Sequence, residues 1–256
     1  MYTKFELPSS DKDLLKRALQ VAEEFVQPYL REDVTGIVFL GGIARGYFDR
    51  SADIDIALFT EPGAEEYPKE KFYNVGEFEV QCWVSEYQKA LADEWDMSRR
   101  WTYTQSRIYH DPAGKTAQLL AEKVPLKQEE RKWLLMSGLT LSEWYINRLT
   151  ETWVERGSIA SAHYMFEQGL DFFFRMLFGF NNQLVADMKW RLFSVAQLEH
   201  LPTDFSQRIQ DILIVQSITL DELARRREAF MVMWKEMKPL VEGDVGKTFE
   251  EMMKVV

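Results

Sequence analysis

The sequence predicts an α+β protein: a small mixed β-sheet domain over residues 1–125, followed by an all-α helical bundle over 126–256. Three observations carry this. Short apolar runs with period-two alternation alternate with helical patterns only before about residue 125, which suits a sheet with helices on one side. After Leu126 no strand pattern returns, and Leu141, Tyr145, Leu149 and Trp153 recur at helical spacing. No internal repeat, low-complexity tract or glycine-serine linker separates the halves, so the boundary is a change of pattern.

Ser10 is positioned to cap a first helix that runs to about Leu30, with Leu15, Leu19, Ala22 and Val26 on one stripe. Strands are expected at about 35–40 and 52–59, then a Gly-, Pro- and Glu-rich loop over 60–70. A third strand covers 77–84 and a short helix 86–96. The turn Tyr109-His110-Asp111-Pro112-Ala113-Gly114 leads into a helix that ends near Lys123. In the second half, a helix over about Ser158–Phe180 is apolar nearly all round and should lie centrally in its bundle. Pro202-Thr203 opens another helix. Thr219 with Glu222 forms a capping box for one that runs to about Met237.

Composition excludes several classes. A length of 256 residues suffices for real cores, and 46% hydrophobic with 14% aromatic residues leaves no room for disorder. No apolar stretch approaches a membrane span, and Met-Tyr-Thr-Lys-Phe-Glu does not read as a signal peptide, so a cytoplasmic location without membrane partners is expected. The single cysteine, Cys82, excludes an internal disulfide and reads as a packed thiol on an apolar strand face. A net charge of −10 argues against a nucleic-acid polymer as partner and favours a small acceptor.

The chemistry concentrates in residues 41–55, GGIARGYFDRSADID. Gly41 and Gly42 close an apolar run, and without Cβ atoms they let backbone approach a ligand closely. Arg45 adds a fork-shaped cation. Ten residues beyond Gly42, Asp53-Ile54-Asp55 opens a second apolar run. Alternation puts both carboxylates on one face, where they would repel each other without a cation. Few hard oxygen ligands suit magnesium, which keeps its other positions for water and phosphates.

Gly41-Gly42, ten residues, then Asp53-x-Asp55 with apolar flanks resembles the signature of the DNA polymerase β-type nucleotidyltransferases. Gly-Gly-Ile-Ala-Arg-Gly is most similar to small bacterial enzymes that modify antibiotics, the aminoglycoside and lincosamide nucleotidyltransferases. Many members carry Ser where this chain has Gly42, so a backbone N–H would replace a hydroxyl contact to the triphosphate. The resemblance implies Mg²⁺-dependent transfer of a nucleoside monophosphate from a nucleoside triphosphate, with ATP the expected donor, to a hydroxyl of a small molecule, releasing pyrophosphate. It further implies two Mg²⁺ ions on Asp53 and Asp55, a phosphate cradle of Gly41, Gly42 and Arg45, and a helical domain that holds the acceptor. Two alternatives remain: a protein-modifying enzyme of toxin–antitoxin type, and a non-catalytic nucleotide-binding protein. Homodimerisation stays open.

A third metal-site carboxylate should come from the neighbouring strand. Glu79, mid-strand between Phe78 and Val80, is the preferred residue; Glu77 is the alternative, and Gln81 would leave the third acid missing. On the apolar helix, His163, Glu167, Asp171 and Arg175 form one polar stripe. It reads either as a solvated face with an Asp171–Arg175 pair, or as the source of a general base, Glu167 or Asp171, for the acceptor hydroxyl. Lys189-Trp190 after Asn181-Asn182 is a further nucleotide- or acceptor-facing candidate, against a helix C-cap at Asn181 and a surface lysine. Lys115 reads as a phosphate or surface lysine. The Arg156 and His163 spacing loosely echoes an Arg-His ribonuclease pair, but lacks a polar residue after the arginine.

Overall fold

A computed structural model describes residues 10–256. The chain divides at Pro125/Leu126 into two compact units.

The first unit is built on five strands: β1 (Val34–Phe39), β2 (Ile54–Thr60), β3 (Phe72–Val75), β4 (Phe78–Glu86) and β5 (Arg107–His110). Their order is β3-β4-β2-β1-β5. β2 and β4 are parallel while the other pairs are antiparallel, so the sheet is mixed. Its helices are α1 (Lys12–Val26), α2 (Gly41–Arg45), α3 (Tyr87–Ala92), α4 (Met97–Thr102) and α5 (Lys115–Lys123).

Alternation along β2 explains the layers. Ile54, Ile56 and Leu58 face a core with Leu14, Ala18, Ala22 and Val26 of α1. Ala57 and Phe59 face the opposite core, with Tyr87 and Ala90 of α3, Leu119 of α5, and Trp95 and Tyr103 beside α4. Helices therefore cover both faces of the sheet, not one as the sequence pattern suggested. A strand pair buried on both faces reads as the near-continuous apolar run seen in β2.

The cap of α1 is Asp11 rather than Ser10: its side chain accepts from the N–H groups of Asp13 and Leu14. Ser10 accepts from the Phe48 N–H at 3.0 Å. A 3₁₀ turn, Gln27–Tyr29, follows α1 because Pro28 suits a helix start and not an interior. The helix expected over 86–96 is the shorter α3, and α4 follows as a helix the sequence pattern did not suggest, with Asp96 capping it by accepting from Arg99 N–H at 2.7 Å.

The second unit, Leu126–Val256, is helical throughout its regular structure. α6 (Gln128–Glu143) passes through a π-helical segment, Trp144–Leu149, into α7 (Thr150–Glu155). α8 (Ile159–Phe180) follows, capped by Ser158, and buries Phe166, Leu170, Phe173 and Leu177. α9 (Met188–Val195), α10 (Phe205–Leu213), α11 (Leu220–Val245) and α12 (Phe249–Met252) complete it. Thr219 caps α11 by accepting from the Glu222 N–H, but the expected capping box does not close, because the Glu222 carboxylate accepts from Arg225 and the Gln216 N–H instead. The helix then runs through Pro239, past the expected end near Met237, because Val241 and Val245 are buried on its continuation and Gly246 supplies the left-handed cap.

No helix among the described residues is long and apolar enough to cross a membrane.

Candidate active site

The site assembles where β1 turns into α2 and β2 begins. Leu40 is extended, Gly41 takes φ +56°, and α2 starts at once. The Leu40 N–H donates to the Asp55 carbonyl at 2.9 Å, which ties the turn to β2. A Cβ on Gly41 would fall on the Asp55 carboxylate, at Oδ2. This glycine is therefore required twice: left-handed backbone disfavours a side chain by about 1–2 kcal/mol, and the space belongs to the acid.

Gly42 answers to a different neighbour. Its Cβ would lie 2.5 Å from the Tyr47 carbonyl oxygen and 3.3 Å from a Phe48 ring carbon. The turn closes on itself there, since the Tyr47 N–H donates back to the Gly42 carbonyl at 3.0 Å. Gly46, at φ +74°, ends α2 as its left-handed cap. The following loop is pinned by Asp49, which accepts from Ser51 N–H (2.8 Å), Ser51 hydroxyl (2.6 Å) and Tyr47 hydroxyl (2.9 Å). Those bonds hold the Asp49 carboxyl below its ordinary pKa and, through Asp49, raise the Tyr47 phenol.

Asp53 and Asp55 are both half-buried. They share the odd-numbered face of β2 with Ala57 and Phe59, the face covered by α3, α4 and α5. Register sets their neighbours on β4: Asp55 lies opposite Gln81 and Ile54 opposite Val80. Gln81 donates from its amide to Asp53 and, at 3.2 Å, to Glu79. Glu79 is exposed and does not join the pair in a three-carboxylate cluster; no group of three His, Cys, Asp or Glu side chains among the described residues is placed to hold a metal ion. The amide of Gln81 thus stands between the two acids. Glu77 forms an ion pair with Arg17, away from this constellation.

Arg45, at the end of α2, stacks its guanidinium over the Trp101 ring at 4.1 Å from the centroid. Trp101, on α4, was not singled out by the sequence. An exposed-looking tryptophan after a pair of arginines carries no periodic signal, and only the fold brings it to Arg45.

In the helical unit, the stripe on α8 is tied up in ion pairs. Asp171 accepts from Arg175 Nε at 2.8 Å and from Arg191. Glu167 accepts from Arg226, which is 1% exposed and also donates to the Ile212 carbonyl at 2.7 Å. His163 is buried, with Nδ1 3.2 Å from Arg226 and Nε2 3.0 Å from the Thr219 carbonyl. This network joins α8, α10 and α11 and explains why the stripe interrupts an apolar helix. Lys189 is exposed at the start of α9, where its N–H meets the capping Asp187. Asn181 caps α8, its amide donating to the Leu177 carbonyl at 2.8 Å. Lys115 pairs with Glu61 at 2.5 Å, which raises its ammonium pKa.

A pair of carboxylates is a donor set that fits magnesium, which binds through one or two carboxylates and fills its remaining positions with water and phosphate oxygens; Gln81 meets Asp53 through its amide nitrogen and so orients that acid. The close approach of Gly41 to Asp55 leaves backbone, not side chain, beside the acids.

Neither a family model nor a curated protein sequence matches the chain. In structure it is similar to a nucleotidyltransferase-like protein from Exiguobacterium sibiricum 255-15, at 13% identity and a TM-score of 0.47, over 88% of this chain and 77% of that one. At that identity and score the likeness carries no functional argument.

Proposed function

We propose that this protein is a nucleotidyltransferase that moves a nucleoside monophosphate from a nucleoside triphosphate, ATP in the first instance, to a hydroxyl of a small acceptor. The observation that carries the reading is the fit of Gly41 against the Asp55 carboxylate, with Asp53 two residues away on the same strand face. A turn stripped of side chains beside two acids suits a triphosphate brought to the edge of a metal site.

In this reading Asp53 and Asp55 hold Mg²⁺, which supplies charge neutralisation for the triphosphate and a lowered pKa for the acceptor hydroxyl. Gln81 keeps Asp53 oriented through its amide. The backbone of Gly41 and Gly42 lets the phosphate chain approach, and Arg45 meets its negative oxygens. The acceptor oxygen bonds to the α-phosphorus, the bond to the bridging oxygen breaks, and pyrophosphate leaves. Glu167 and Asp171 are each held by arginine partners of the helical unit, which speaks for a structural task at both, and the hydroxyl proton passes to water. Asp53 and Asp55 hold the metal in this scheme, and Glu79 has a supporting place beside Gln81.

The test is a thermal-shift panel of the four ribonucleoside triphosphates, with and without Mg²⁺, on wild type and Asp53→Asn. Ligand that binds the native state raises its melting temperature. A Mg²⁺-dependent rise in wild type that is absent from Asp53→Asn, with the unliganded melts equal, is the expected result. No shift with any triphosphate overturns the proposal.

A further inference from the structure

Arg45 and Trp101 form a stack whose place in the fold gives it a task. Arg45 ends α2, the five-residue helix that Gly41 opens, so about one helical turn separates it from the point where the Asp55 carboxylate fills the side-chain space of Gly41. Independently, α4 lies on the sheet face that carries Asp53 and Asp55, since Trp95 and Tyr103 on either side of Trp101 belong to the same core as Ala57 and Phe59. Two separate routes through the fold therefore bring the stack to the side of the acids.

Trp101 is held firmly enough to act as a platform. Arg100 before it is 3% exposed and donates to the Pro125 carbonyl. Tyr103 after it is buried against Trp95, with ring centroids 4.9 Å apart. The Trp101 carbonyl accepts from the Thr104 hydroxyl at 2.7 Å. Stacking on an indole uses the face of a guanidinium, whereas oxyanions are bound through its in-plane N–H groups, so both contacts can be made at once. A lysine at position 45 has no such face.

We propose that Trp101 is a positioning residue for the donor's phosphate chain: it fixes the plane of the Arg45 guanidinium on the Gly41–Asp55 side, so that Arg45 meets the terminal phosphates without first being ordered. This rests on the nucleotidyltransferase reading. The substrate feature it recognises is the polyphosphate, not the base.

The experiment is a binding titration of Mg²⁺-ATP and of inorganic pyrophosphate with Mg²⁺ on wild type, Trp101→Leu, Trp101→Phe, Arg45→Lys and the Arg45→Lys/Trp101→Leu double variant. Losing an aromatic platform should weaken both ligands about tenfold in Trp101→Leu. Trp101→Phe, which keeps an aromatic face, should retain most of the affinity. The double variant should bind no more weakly than Arg45→Lys alone, because Trp101 acts only through Arg45. If Trp101→Leu melts early, Trp101→Met fills the volume without a ring and takes its place. Wild-type affinity in the Leu or Met variant, or losses that multiply in the double variant, overturn the assignment while leaving the nucleotidyltransferase reading intact. Absence of triphosphate binding by wild type overturns both.

Discussion

Replacing Gly42 by Ser separates two accounts of the glycine pair. By resemblance, serine at this position would restore a hydroxyl contact to the triphosphate. By geometry it fits only if the backbone at Tyr47 moves. A Cβ at residue 42 lies 2.5 Å from the Tyr47 carbonyl oxygen, where a relaxed carbon–oxygen contact needs about 3.3 Å. The carbonyl would have to retreat by roughly 0.8 Å on that scale. It is held on both sides: the Tyr47 N–H bonds the Gly42 carbonyl at 3.0 Å, and the next residue, Phe48, is fully buried, donates its N–H to the Ser10 hydroxyl at 3.0 Å and accepts at its carbonyl from the Asp11 N–H at 3.2 Å. Forced insertion at a well-packed point costs about 1–3 kcal/mol. For a unit of this size that is a fall in melting temperature of roughly 5–15 °C. Scanning calorimetry reads the stability, and triphosphate thermal shift reads the site. The expected result is an earlier melt with weaker triphosphate stabilisation. A Gly42→Ser protein that melts with wild type and is stabilised more by triphosphate would refute the argument and mark Gly42 as a lost hydroxyl.

Two further predictions test the packing of the described structure. Arg131 bonds both oxygens of Asp244, at 2.7 and 2.5 Å, and holds its carboxyl below the ordinary 3.8. A depressed folded pKa contributes stability above the unfolded value and loses it as pH falls through the folded one. Urea unfolding of Asp244→Asn should therefore show a deficit at pH 7 that shrinks below about pH 3.8; a gap of constant size across that range would contradict the pairing. Burial pushes the Cys82 thiol up to about 12, so a disulfide reagent at pH 8 should label it only after denaturant is added, and rapid native labelling would show the core to be open.

How far the sequence reaches is best judged element by element. β2 is legible because Asp-Ile-Asp-Ile-Ala-Leu-Phe carries its alternation and its burial in one run. β3 and β5 are not: each has four residues, and as sheet edges they are half exposed, so their strand state comes from pairing with β4 and β1. Ser10 and Asp11 are both good caps, and the choice between them was made by Phe48, far along the chain. The third acid turned on a register that only strand pairing fixes, and that register sets Gln81 opposite Asp55. The Asp171–Arg175 pair was legible from its helical spacing; its second partner, Arg191, and the Arg226–Glu167 contact depend on helix packing. The π-helical segment at Trp144–Leu149 left no trace in the four-residue spacing, because one wider turn displaces a stripe too little to be read.

The two glycines of the turn carry separate duties, and this bears on whether the site is degenerate. Gly41 gives its side-chain space to the Asp55 carboxylate; Gly42 gives its own to the Tyr47 carbonyl. Neither space is left open. If the turn had merely lost a catalytic serine, a void or a free side-chain direction should remain at residue 42, yet backbone and the Phe48 ring fill it. The surrounding bonds repeat the pattern: Leu40 N–H on the Asp55 carbonyl, Asp49 on Ser51, Ser10 on Phe48. Loops relieved of function have no need of such closure, since exposed connecting segments tolerate looseness. A turn held from every side, with two half-buried acids beside it, is a built feature of the fold, and on the proposed nucleotidyltransferase reading a triphosphate would be met there by backbone and by Arg45 without a hydroxyl at residue 42.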